Sequence, residues 1–213
     1  MQTQDNPILV QSYACKMLSG AFSYPQPDFQ ELMQNNTWNE LVEDMYRHSL
    51  LIREDKEKTP ADKVFFIHDA FWDQPLADIQ SSYTQIFDVG FPAPVCAPYA
   101  GLYLPDGQSY PGPRTTLLAE LNKKYIRWGL SLDDELSDHL AVELEFYHFL
   151  FALTEEARGG NTSLDAKDIN SEQIWMLNHL RVWIPKFHDH LMKHCPYPFW
   201  IKAAGLIRAF IRE

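Results

Sequence analysis

"SDHLAVELEFYHFL", residues 137–150, is the stretch whose reading decides the fold. At about 100° per residue it forms a helix. Leu140, Leu144, Tyr147 and Phe151 line one stripe of that helix, and Val142, Phe146, Phe149, Leu150 and Leu153 line an adjacent one. His139 and Glu143 fall between the two stripes. Most of the circumference is therefore apolar, which puts the helix at the centre of a bundle. Asp138 and Glu145 share the remaining side with Ala141 and Ala152. With Ser137 as N-cap, Asp138 sits in the first turn, where a carboxylate stabilises a helix by roughly 0.3–1 kcal/mol. His139 then reads as a core histidine satisfied by a carbonyl or by Glu143 one turn on.

The same periodicity continues on both sides. Near the start, Ile8, Leu9, Ser12, Tyr13, Lys16, Met17 and Gly20 make a mixed stripe that stops at Pro25 and Pro27. Thr37 suits the N-cap of a helix over 38–55, with Glu40 completing a capping box. The charge run "REDKEKTP" (53–60) follows as a solvated helix end or a loop. "ADKVFFIHDAFW" (61–72) and "PLADIQSSYTQIFDV" (75–89) read as two short helices, the second opening on Pro75. Further helices are expected over 114–128, 138–157, 170–194 and 198–212, with Pro185 kinking or splitting the third of these. "ARGGNTSLD" (157–165) is a loop. No alternating strand run and no internal repeat appears. About nine helices give an all-α bundle, a single domain over 1–213.

One segment breaks the pattern. "VGFPAPVCAPYAGLYLPDGQSYPGP" (89–113) holds six prolines, four glycines and three tyrosines and cannot be a helix interior. Its Phe91, Tyr99, Leu102, Tyr103 and Tyr110 are too apolar for a free linker. It is expected as an irregular segment packed on the helices, and long irregular segments inside a domain usually carry function.

The chain has 213 residues, is 46% hydrophobic and carries a net charge of −11. That charge argues against nucleic acid or an anionic membrane as main partner and favours a basic polypeptide segment. Cys15, Cys96 and Cys195 are widely spaced and form no disulfide framework, which suits a reducing cytoplasm. The N-terminus has no signal-peptide pattern, and no uncharged stretch approaches the roughly 18–20 residues of a membrane span.

Glu145 and His148 form an ExxH pair of the kind found in di-iron bundles, but no second ExxH accompanies it. His188, Asp189, His190, His194 and Cys195 cluster near a helix end, where the dipole favours positive charge. His190 and His194 are i,i+4, yet the HExxH glutamate is missing. A metal-dependent helical enzyme built on Glu145, His148 and the 188–194 cluster is the rival to a binding protein. Neither GxSxG, GxxxxGK[ST] nor GxGxxG occurs, so neither a serine nucleophile nor a nucleotide has a motif, and no resident cofactor is expected.

Taken together, "YTQIF" before a proline-rich segment, Asp138–His139 entering a hydrophobic helix, and the C-terminal "HLRVWIPKFHDHL…CPYPFWIKAAGLIRAFI" resemble the TorD/DmsD/NarJ family of redox enzyme maturation chaperones. "ELSDH" is similar to the family's Glu-Pro-x-Asp-His motif, with Leu136 in place of the proline. The resemblance implies a cytoplasmic chaperone, not an enzyme. It would bind the twin-arginine leader or N-terminal tail of the catalytic subunit of a DMSO-reductase-type molybdoenzyme until the cofactor is inserted. It further implies that Tyr83, Phe87, Pro94, Tyr99 and Tyr103 shape the apolar part of a peptide groove. Glu135, Asp138 and His139 would contact or orient the basic part. The 154–165 stretch suits either a hinge for helix exchange between two copies or an ordinary connection, so monomer and helix-exchanged dimer both stay open.

Overall fold

The computed structural model describes residues 6–51, 65–67, 70–91, 94–104, 114–132, 135–160 and 165–212. Among them are eight α-helices: α1 (Pro7–Ala21), α2 (Pro27–Gln34), α3 (Thr37–Arg47), α4 (Leu76–Tyr83), α5 (Arg114–Arg127), α6 (Leu140–Arg158), α7 (Ala166–His194) and α8 (Pro198–Phe210). The one β-type contact among the described residues is an isolated bridge between Tyr99 and His139. The all-α architecture read from periodicity is the one found. The charge run 53–60, the 52–55 end of the second helix, Tyr110 and positions 161–164 lie outside the described residues.

Proline and short polar side chains set the helix starts. Pro7, Pro27 and Pro198 open α1, α2 and α8, where a missing N–H costs nothing. Asn6 and Asp165 cap α1 and α7 through their side-chain oxygens. Thr37 is the first residue of α3 and not its cap. Asn36 precedes it at φ 61°, the left-handed region that asparagine tolerates. Within the described residues α3 ends at Arg47, short of the expected extent, and His48 to Leu51 turn away from it. The first of the two short helices is a 3₁₀ turn at Ala70–Asp73 in its described part. α4 runs on into a wide π turn at Thr84–Asp88.

α6 is the central helix, as its two apolar stripes require, and packs most extensively on α1 and next on α7. α7 runs unbroken for 29 residues, about 43 Å, with Pro185 inside it. α7 packs on α8 and α6, and Pro185 does not split it. Buried apolar side chains form one contiguous cluster in which Trp38, Trp183 and Trp200 are enclosed. Edge-on aromatic packing joins Phe22, Tyr83, Phe87 and Trp200, with ring centroids 4.9–6.1 Å apart. Trp200 donates to the Ala21 carbonyl and Trp38 to that of Phe65.

A polar knot sits in this core. Glu143 Oε1 lies 2.7 Å from His179 Nε2, and Trp183 Nε1 donates to Glu143 Oε2 at 3.1 Å. Trp175 stacks flat on His179 at 5.3 Å. Glu143 is therefore satisfied by α7 and does not serve His139.

Candidate functional site

The entry to α6 differs from the sequence expectation. The helix begins at Leu140, and its cap is His139, whose Nδ1 accepts from the Ala141 N–H at 3.2 Å. Ser137 is not the cap; its hydroxyl donates to the Leu118 carbonyl. Asp138 is thus outside the helix, fully enclosed, and does other work. Both its carboxylate oxygens accept from Arg114, Nε to Oδ2 and the terminal nitrogen to Oδ1, each at 2.8 Å. Oδ2 also accepts from the Gly101 N–H at 3.1 Å, and the Asp138 carbonyl accepts from Ala100 at 2.9 Å. Leu140 N–H donates to the Pro98 carbonyl at 2.8 Å. These bonds fasten the proline-rich segment to the starts of α5 and α6. Gly101 is required there, because a Cβ would stand 2.5 Å from the Arg114 side chain.

Beside this clamp opens a cleft of about 560 Å³, walled by the end of α1, the end of α4 and its π turn, Tyr99, residues 130–132, Glu135 and α6. Tyr24, Tyr83, Tyr99, Val142, Phe146 and Phe149 supply its apolar lining; Asp88, Glu135 and Glu145 supply carboxylates. Four of the eight residues singled out in the sequence line it: Tyr83, Tyr99, Glu135 and His139. Tyr83 is held by its hydroxyl, which donates to the Phe22 carbonyl at 2.8 Å. Tyr99 meets the His139 ring edge-on at 5.0 Å and carries the Arg114 guanidinium over its own ring, also at 5.0 Å. Glu135 is exposed at the mouth.

The other four lie elsewhere. Phe87 is core, packed on Phe22 and Trp200. Tyr103 stacks on Trp183 at 6.0 Å, on the α7 side. Pro94 is half-buried away from the lining, and Asp138 lies beneath it. Asp138 is linked to Tyr99 through Arg114, whose guanidinium it binds and which lies over the Tyr99 ring.

Burial controls the electrostatics. It pushes the His139 imidazole down to about 4, against the pull of Asp138, so the ring is neutral at pH 7. With Nδ1 accepting from Ala141, the proton sits on Nε2. Burial also raises the Asp88 carboxyl. The Tyr99 phenol is raised by burial first, then by Glu135, Asp88 and Asp138, with Arg114 opposing.

Sequence reasoning missed Arg114, Tyr24 and Asp88. Arg114 left a signal: a cation at the first position of a helix opposes the dipole and calls for a carboxylate partner. Phe146 and Phe149 were visible as part of a stripe but had no mark separating cleft from core.

The side chains of the metal reading do not converge. Glu145 pairs with Lys16 at 2.6 Å, and His148 Nδ1 lies 2.9 Å from the Ser12 hydroxyl. Asp189 pairs with Arg208 at 2.6 Å, and His190 bonds the Val95 carbonyl at 2.8 Å. Among the described residues no three His, Cys, Asp or Glu are placed to hold an ion. No helix among them is long and apolar enough to cross a membrane.

Eight helices among the described residues, around a clamped proline-rich segment and with a largely apolar cleft beside α6, define an all-helical fold class. A family model described as nitrate reductase delta subunit matches residues 63–189, and the chain belongs to that family. This bears out the resemblance carried by the three motifs. The perchlorate reductase assembly chaperone protein of Dechloromonas aromatica is 28% identical over 137 residues, spanning 63% of this chain and 58% of that protein. The chaperone protein TorD of Salmonella arizonae is 33% identical over 119 residues, spanning 54% of this chain and 49% of that one. The matches thus span about half the length of these curated relatives, both of which are named as chaperones and not as enzymes. A solved structure from Archaeoglobus fulgidus, assigned provisionally as a redox enzyme maturation protein, has the same fold. It aligns over 95% of this chain and 94% of its own, with a TM-score of 0.52 and 20% identity.

Proposed function

We propose that this chain is an assembly chaperone that takes the N-terminal leader or tail of the apo catalytic subunit of a DMSO-reductase-type molybdenum oxidoreductase into the cleft beside α6. It acts in the cytoplasm, before the cofactor is inserted and the client is assembled or exported by the twin-arginine route. The observation that carries this reading is the composition of the cleft, in a chain whose relatives are named chaperones, one of them for reductase assembly. Aromatic and aliphatic walls end at a mouth bearing Asp88 and Glu135. A leader of basic residues followed by an apolar stretch complements it.

The energetics agree with a releasable complex. Burying four or five apolar side chains contributes roughly 1.5–3 kcal/mol each, offset by the cost of ordering a disordered tail. The remainder corresponds to micromolar binding, about −8 kcal/mol. Tyr83 and Tyr99 pack against the apolar part and Glu135 meets the basic part. Asp138 and His139 hold the wall in place. Titrating a synthetic client leader into the protein by calorimetry tests this reading. Micromolar binding that weakens severalfold in Tyr99→Ala and Glu135→Gln is expected; a leader that fails to bind the unaltered protein overturns it.

A further inference from the structure

The mixed stripe of α1 is not absorbed by the cleft beside α6. Tyr13, Met17 and Gly20 face a second and larger cleft of about 830 Å³ between α1, α2 and α3. Phe29 and Leu32 of α2 and Leu41 of α3 complete its apolar floor. Tyr13 and Leu32 are 40% and 43% exposed, so this floor faces solvent. The floor is rigid where Phe29 packs on Gly20, so close that a Cβ there would stand 2.6 Å from its ring, and edge-on against Trp72 at 5.1 Å.

The rim is acidic. Asp28, Glu40, Glu43 and Asp44 stand along it, with Glu145 at the α6 end. The two cations among the described lining residues are engaged: Lys16 holds Glu145 at 2.6 Å, and Arg47 pairs with Asp44. Asp28, Glu40 and Glu43 are left as surplus negative charge around an apolar trough, in a chain of net charge −11.

We propose that this cleft is a second docking surface, for a cationic amphipathic helix of a partner polypeptide. Its apolar face would lie on Tyr13, Leu32 and Leu41, and its Lys or Arg residues against Asp28, Glu40 and Glu43. The trough lies between helices and offers no sheet edge, so a ligand must satisfy its own backbone, as a helix does. Opposite charge steers it in, and the floor supplies the burial. Ser19, Ser23 and Glu145 line both clefts, whereas Asp28, Leu32, Glu40, Leu41 and Glu43 line this one alone, so changes at those five positions test this reading apart from the other.

The probe is a synthetic, fluorescein-labelled amphipathic helix of Leu and Lys, about 18 residues long to be helical enough, with a counterpart in which Gln replaces Lys. Both are titrated into the full chain by anisotropy. Glu40→Gln/Glu43→Gln is expected to weaken the Lys peptide about tenfold, or 1.4 kcal/mol, and to leave the Gln peptide unchanged. Leu32→Ser should weaken both. Glu120→Gln/Glu156→Gln, exposed and on other helices, should weaken neither. Thermal midpoints confirm that each variant is folded. Equal loss in the two acidic pairs, or no loss with Leu32→Ser, overturns the proposal. So does sedimentation showing that the unliganded protein self-associates through this face and that Leu32→Ser abolishes it, since the occupant is then a second copy.

Discussion

Arg114, the first residue of α5, grips both carboxylate oxygens of Asp138, the last residue but one before α6, with two 2.8 Å bonds. Arg114 is one-third exposed and Asp138 is not exposed at all. Breaking such a pair from one side strands a charge, and the cost is several kcal/mol when both groups are buried. Partial solvation of Arg114 lowers this, so Asp138→Asn should destabilise by about 2–3 kcal/mol. Arg114→Gln leaves the enclosed carboxylate, among the described donors, with the Gly101 N–H alone and should cost as much. In a double-mutant cycle by urea denaturation the double variant should lose much less than the sum. Additive losses would show that the two side chains act independently.

His139 supplies a pH signature. Its folded-state value is lowered to about 4 from 6.5 by burial. The unfolded chain therefore takes up a proton that the folded chain refuses as pH falls below 6.5. This contribution is fully present above 6.5 and is lost between 6.5 and about 4. Going from pH 7 to 4.5 should cost the wild type roughly 2–3 kcal/mol more than His139→Gln, which does not titrate. Parallel pH profiles for the two proteins would refute a buried neutral imidazole.

The Glu143–His179–Trp183 knot predicts an asymmetry. Burial raises the Glu143 carboxyl, while His179 and Trp183 pull it down through their hydrogen bonds. Removing one partner, as in His179→Ala, leaves a buried carboxyl half-satisfied beside a cavity and should destabilise by about 3 kcal/mol. Glu143→Leu with His179→Leu replaces the polar pair by apolar bulk and should be milder than either single change. Chemical denaturation of the three variants decides. A double variant worse than both singles would mean that the knot itself supports the fold.

Phe91 is wholly exposed at the start of the proline-rich segment. Phe91→Ser should change stability by less than about 0.5 kcal/mol, readable as an unchanged urea midpoint. A large loss would place its ring inside the fold.

The bundle was legible because period 3.6 is written along the whole chain, and α6 carried it most clearly: two apolar stripes with polar residues confined to the gaps. Boundaries were less legible where a side chain serves a distant partner. Asp138 has the look of a first-turn acid, but Arg114, 24 positions earlier, takes it out of the helix. Local pattern favoured Ser137 as cap, and the tertiary bond of its hydroxyl to Leu118 decided otherwise. Pro185 looked like a break, and packing on both sides of α7 kept the helix whole. In the cleft, Tyr99 of the proline-rich segment stood out by composition. Tyr24 and Asp88 did not, because nothing local distinguishes a cleft-facing side chain from any other.

The partnership of α1 with α6 joins the beginning of the chain to residues 140–158. Synthesis delivers α1 more than a hundred residues before α6, its main packing surface. Through that interval α1, eight of whose residues are buried in the finished protein, lacks its most extensive packing partner. A fragment ending before residue 140 should therefore be sticky and insoluble, whereas one reaching past α6 gains its most extensive helix pairing at a stroke.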